Sequence, residues 1–166
     1  WQAAIDAALE SAGDYLDSLT VGLDDPVEKF TQSFRLSGRL FRLEPQLSRV
    51  LLNSEAAALA AAGGLAPRSR RDIESAVAQG RFDVDDADVA LAIVAGSLLS
   101  IGRLLLAQPE RDEAATVDGT TQRVLRALGI SAEEAETLCS RELPISYRGG
   151  VHAAIDPTSE ASDRTR

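Results

Sequence analysis

Apolar residues along the chain recur every three to four positions rather than every two, and seven segments carry that helical period. The first, about residues 1–19, sets Trp1, Ile5, Leu9, Leu16 and Leu19 on one side. Asp6, Glu10, Asp14 and Asp17 recur on another, an acidic stripe that reads as a solvated face. The second has a marked start, with Asp25 as N-cap, Pro26 at the first helical position and Glu28 three residues past the cap. It runs to about Leu43, where Glu44-Pro45 stops it. Val27, Phe30, Phe34 and Phe41 form one of its faces, while Arg35, Arg39 and Arg42 form a basic stripe elsewhere, expected to face solvent. A third segment, about 45–62, has a break at Asn53-Ser54 and ends at Gly63-Gly64. A fourth opens at Pro67 and stops at Gly80. Asp83, Asp85, Asp86 and Asp88 then precede the fifth, whose positive dipole end favours them. The sixth, about 113–128, spaces Val117, Thr121, Val124, Leu125 and Leu128 as an apolar face and ends at Gly129. Ser131 and Glu134 form a capping box for a short seventh helix carrying Leu138 and Cys139. From Pro144 onward the composition turns to Gly, Ser, Thr and charges, so residues 1–143 read as a helical domain and 144–166 as a flexible tail.

The fifth segment, VALAIVAGSLLSIGRLLLA over residues 89–107, is the most apolar part of the chain. A membrane span needs about twenty predominantly apolar residues. Here Arg103 limits the uncharged run to residues 89–102, Gly96, Ser97 and Ser100 dilute it, four aspartates crowd one end, and no aromatic belt flanks it. The run therefore reads as a buried helix of a soluble protein with no membrane contact. A helix apolar all round must be covered all round, and its own domain covers only one side.

Composition agrees with an all-α, antiparallel bundle of about seven helices. The chain has 166 residues, 45% of them hydrophobic but only 4% aromatic, so the helix formers Ala and Leu carry the apolar load. A formal net charge of -9 argues against this segment gripping a phosphate backbone. The single cysteine excludes an intrachain disulfide and points to a reducing compartment, the cytoplasm. No signal-peptide pattern opens the chain, and a start on Trp1 rather than Met fits a piece of a longer polypeptide.

Candidate chemistry is sparse. The only histidine, His152, lies in the tail, which removes His-rich metal motifs, and one cysteine cannot build a zinc site. Cys139 faces inward on a capped helix and reads as an inert buried thiol. There is no phosphate-binding glycine loop. The acidic pairs Asp24-Asp25, Asp85-Asp86 and Glu133-Glu134 fall at helix starts, where capping explains them. Arg68, Arg70 and Arg71 read as a solvated helix start. No catalytic residue, metal or cofactor is expected, so an enzyme is the weakest reading.

Two stretches carry a resemblance. They are LSRVLLNSEAAALAAAGGLAPRSRRDIESAVAQGRFD, residues 47–83, and TQRVLRALGISAEEAETL, residues 121–138. Their order around the apolar helix resembles the carboxy-terminal regulatory domain of TetR-like transcriptional repressors, over most of residues 1–144. The resemblance implies a homodimer, a small apolar or amphipathic effector, and operator DNA read by an upstream helix-turn-helix domain that this sequence does not contain. Residues 1–19 would then link the DNA-reading heads to the body. An effector pocket between the first, second, fourth and fifth helices would use Tyr15, Phe30, Phe34, Phe41 and Leu99, with Ser37, Asn53 and Arg103 as polar contacts. Ala92, Gly96 and Ser100, spaced by four, would let the fifth helix approach its symmetry mate, with Val117, Thr121, Val124 and Leu128 completing the seam. The alternatives are a helical interaction domain without a pocket and, less so, a small helical enzyme.

Overall fold

The computed structural model describes residues 2–53 and 65–144, and every regular element among them is an α-helix. The helices are α1 (Gln2–Thr20), α2 (Pro26–Leu43), α3 (Pro45–Asn53), α4 (Leu65–Ala78), α5 (Ala87–Ala107), α6 (Glu113–Ala127) and α7 (Ala132–Ser140). Helix α3 is described as far as Asn53, and the expected break at Asn53-Ser54, the continuation to residue 62 and the tail from 145 onward, His152 included, lie at or beyond the edge of the described residues. Trp1 does too.

Short side chains fix the helix starts. The Asp25 carboxylate accepts from Val27 N at 3.0 Å ahead of Pro26, whose missing N–H costs nothing in the first turn. Asp86 accepts from the amides of Asp88 and Val89 at 2.8 and 3.2 Å. Asp112 accepts from Ala115 N at 2.9 Å, a cap that periodicity alone does not reveal. At α7 Ser131 accepts from Glu134 N at 3.2 Å, but the Glu134 carboxylate does not complete a reciprocal box; it pairs with Arg81 instead. Two helices end through glycine in the left-handed region. Gly80 (φ 68°) and Gly129 (φ 97°) let the next residue's amide turn back, Arg81 N to Ala76 O at 2.8 Å and Ile130 N to Leu125 O at 3.0 Å. Gly129 has a second reason to lack a side chain. A Cβ there would lie 2.8 Å from Cβ of Asp83, whose amide bonds Leu128 O at 2.9 Å and so ties the α4–α5 loop to the end of α6.

Helix α2 is the central strut and packs against each of the other helices. The main core gathers Val27, Phe30 and Phe34 of α2 with residues of α4, α5, α6 and α7. A smaller apolar cluster, built on Leu16 and Leu36 with Leu19, Leu40, Leu43 and Leu143 around them, attaches α1 separately. Among the described residues one helix, α5, is long and apolar enough to cross a membrane, with a mean hydropathy of 2.2. It packs against α2, α3, α4 and α6, yet only 28% of its most apolar window is buried within this chain.

Candidate functional site

The aromatic face of α2 forms as expected, but deep in the core. Phe30 stacks on Phe34 at 6.2 Å between ring centres and meets Phe82 edge-on at 5.4 Å. Phe82 comes from the turn after Gly80, and sequence periodicity assigned it no role because it belongs to no helix. One turn pair further on, Phe41 lies against Gly102 of α5 so closely that a Cβ at 102 would sit 2.5 Å from the ring. Ser37 is buried, and its hydroxyl donates to Ser33 O at 2.8 Å, which satisfies it inside its own helix. Tyr15 on α1 and Leu99 on α5 are half-buried. Arg103 is exposed on α5 and donates to Leu52 O at 3.3 Å near the end of α3. The Asn53 side chain lies outside the described residues. Phe30 and Phe34 thus come together in the core, while Phe41 of α2 packs on Gly102 of α5, next to Arg103, and Tyr15 lies on a helix outside the main core. A groove of about 420 Å³ opens elsewhere, between α5 and α6. It is lined by Leu104, Ala115, Thr116, Gly119, Thr120 and Arg123 among others, and by none of the expected pocket residues.

The expected dimer seam divides in two. Ala92, Gly96 and Ser100 are all exposed on α5, and a Cβ at Gly96 would meet nothing within 4 Å. Val89 (55% exposed) and Ile93 (41%) extend the same surface, and periodicity does not single them out because apolar residues occur on every side of this helix. Val117, Thr121, Val124 and Leu128 need correction. All four are buried inside the single chain, and Thr121 donates its hydroxyl to Val117 O at 2.8 Å. Helix α6 has one apolar stripe, and the chain's own core uses it; its outward positions are Ala114, Ala115, Arg123, Arg126 and Ala127.

The basic stripe of α2 is the second correction. Arg35 and Arg39 are only 5% and 6% exposed. Arg35 grips Asp118 of α6 with two nitrogens, at 2.8 and 3.2 Å, and donates a third bond to Arg141 O at 2.7 Å. Arg39 donates to the same carboxylate at 3.1 Å, while its Nε has no partner. Arg42 donates to Gln108 O and Arg111 O at 3.0 and 2.9 Å, just past the end of α5. Arg35 and Arg39 thus bolt α2 to α6 away from solvent, and the half-buried Arg42 ties it to the end of α5. The acidic stripe of α1 is also engaged: Arg68 and Arg71 of α4 reach Glu10, Asp14 and Asp17. The hydrogen bond from Arg71, helped by the charges of Arg71, Arg68 and Lys29, holds the Asp17 carboxyl below its ordinary value against the opposing effect of burial. Asp72, buried beside them, is pushed up by desolvation. Burial raises the Cys139 thiol to about 11, far from a reactive thiolate. Among the described residues no group of three His, Cys, Asp or Glu is placed to hold a metal ion.

A family model described as the tetracyclin repressor-like C-terminal domain matches residues 25–141. Two solved structures resemble the chain. RolR in complex with its ligand resorcinol aligns with a TM-score of 0.72 at 32% identity, over 86% of this chain and 70% of that one. RolR without ligand aligns with a TM-score of 0.75 at 31% identity, over 86% of this chain and 73% of that one. Among curated proteins, none matches the chain.

Proposed function

Since the chain belongs to the TetR-like regulators and spans their C-terminal domain, we propose that it senses a small molecule and dimerises, and that effector binding releases operator DNA held by an upstream helix-turn-helix domain. The observation that carries the dimer is the surface of α5. Val89, Ala92, Ile93, Gly96 and Ser100 form an exposed apolar and small-residue strip that water covers poorly and a second copy covers well. The groove between α5 and α6 adjoins that face through Leu104 and gives the partner a recess.

The effector is a small apolar or amphipathic molecule, and a hydroxylated aromatic ring is the first class to test. Support for that class comes from the RolR structure that holds resorcinol, at 32% identity across most of this chain. The phenylalanines of α2 supply the matching apolar surface, with Tyr15, Leu99, Ser37, Asn53 and Arg103 as the remaining candidate contacts. The role is binding and signalling rather than catalysis, and the protein works in the cytoplasm.

The test is a thermal-shift titration of the whole chain with resorcinol, other dihydroxybenzenes and cyclohexanediols. A ligand at a hundred times its Kd stabilises the folded state by about 2.7 kcal/mol. A rise with the aromatic diols alone supports the proposed class. A rise with neither series removes it and favours an interaction domain without a pocket.

A further inference from the structure

Arg68, Arg70 and Arg71 occupy a single turn of α4, and they reach two different neighbours. Arg68 lies across α1, donating to Glu10 at 2.8 Å, to Asp14 at 2.5 Å and to Asp17 at 3.2 Å. Gly13 leaves the room for it, since a Cβ there would lie 2.7 Å from Nη1 of Arg68. Arg71 adds two bonds to Asp17, at 2.9 and 3.2 Å. Arg70 turns the other way, to Asp88 in the first turn of α5.

The apolar contacts of the described α1 side chains lie apart from the main core. None of its described residues enters the main core; Leu16 and Leu19 pack instead in the small leucine cluster with α2. Among its described side chains, helix α1 thus has an apolar pivot near its C-terminal end, at Leu16 and Leu19, and a charged fastening at Glu10, Asp14 and Asp17. The carboxylates of that fastening are partly in water, Asp14 most of all, so salt screens their attraction. The leucine pivot is not screened.

We propose that the arginine turn of α4 is an electrostatic clasp that sets the angle of α1 on its leucine pivot and links that angle, through Arg70 and Asp88, to the first turn of α5. Arg68 is the positioning residue. Opening the clasp frees α1 without dissolving the main core. The proposal concerns the setting of α1 and stands apart from the reading of effector and operator.

The experiment is pulsed electron-paramagnetic distance measurement between labels at Ala7→Cys and Gln79→Cys, both exposed positions, with labelled chains diluted into unlabelled ones. It is run at about 0.01 M and about 1 M salt, where the Debye length falls from roughly 30 to roughly 3 Å. The unmodified clasp should give a narrow distance distribution at low salt and a broad one at high salt. Arg68→Gln should be broad at both, with a melting temperature within about 4 °C of the parent, and Arg68→Lys should recover part of the narrowing. A narrow, salt-independent distribution in Arg68→Gln overturns the proposal. Broadening that comes only with a larger fall in melting temperature also overturns it, because Arg68 would then be holding the core together rather than positioning α1.

Discussion

Gly102 of α5 lies under the ring of Phe41, with room for a hydrogen atom but not for a methyl group: a Cβ would sit 2.5 to 2.7 Å from three ring carbons. Gly38 of α2 makes the same kind of contact with Val117 of α6, at 2.7 Å. These two glycines let α2 approach α5 and α6 closely, which draws the aromatic face of α2 into the core and brings the arginine stripe on its other side within reach of Asp118.

Gly102→Ala should therefore destabilise the fold, although alanine is the better helix former. Phe41 is buried and its ring cannot retreat cheaply, so a cost of about 1–3 kcal/mol follows from overpacking. Chemical denaturation measures it. A variant as stable as the parent would mean that the α2–α5 spacing relaxes freely.

Gly96, six residues earlier on the same helix, should behave in the opposite way. Its Cβ position is open within the chain, so Gly96→Leu should fold normally, and Gly96→Ala should gain helix propensity. Both Gly96→Leu and Ile93→Glu should weaken self-association, the first by steric bulk and the second by placing a charge in an apolar seam. Sedimentation equilibrium reads the change, and the fold is followed by circular dichroism. A dimer of unchanged affinity in both variants would move the interface off this face of α5.

Asp118 is the shared counter-ion of two buried guanidinium groups. Asp118→Ala should cost about 3–5 kcal/mol, because it leaves Arg35 and Arg39 charged and unpaired out of water. The triple variant Arg35→Met, Arg39→Met, Asp118→Leu should recover much of that loss, since a packed apolar replacement avoids the desolvation penalty. Urea denaturation of both variants is the check; equal stability of the single variant and the parent would show that water reaches the pair.

The pattern of the chain discloses its helices well because their signals are local. Asp25-Pro26, Asp86, Ser131, Gly80 and Gly129 announce starts and stops within three or four residues of where they act. What it hides is non-local. Arg35 meets Asp118 across 83 residues and Arg68 meets Asp14 across 54, so both stripes look solvated until the helices are packed. The α6 stripe is ambiguous for a related reason. Val117, Thr121, Val124 and Leu128 are equally suited to a core or a partner, and only the packing of α2 over α6 decides for the core. Along α5 the exposed strip was half legible: the small residues at 92, 96 and 100 stand out by spacing, whereas Val89 and Ile93 are indistinguishable from their buried neighbours.

The α1–α4 clasp should leave a mark on acid unfolding. The hydrogen bond from Arg71 depresses the Asp17 carboxyl in the folded chain, whereas an unfolded aspartate titrates near 3.9. A depressed acid contributes stability that is fully present above the unfolded value and is lost as pH falls through the folded one. Asp72 works in the other direction, because burial raises its carboxyl and protonation relieves that cost. Arg71 touches both carboxylates, at 2.9 Å each. Arg71→Gln should therefore lower the melting temperature at pH 7 by a small amount, since a partly exposed pair is worth roughly 0.2–1 kcal/mol. The gap between variant and parent should then narrow as pH falls below about 4, where both aspartates take up protons. Calorimetric melts of the two proteins from about pH 7 down to about pH 2.5 measure it. A gap that stays constant through that range would mean that Arg71 acts through packing of its stem rather than through charge.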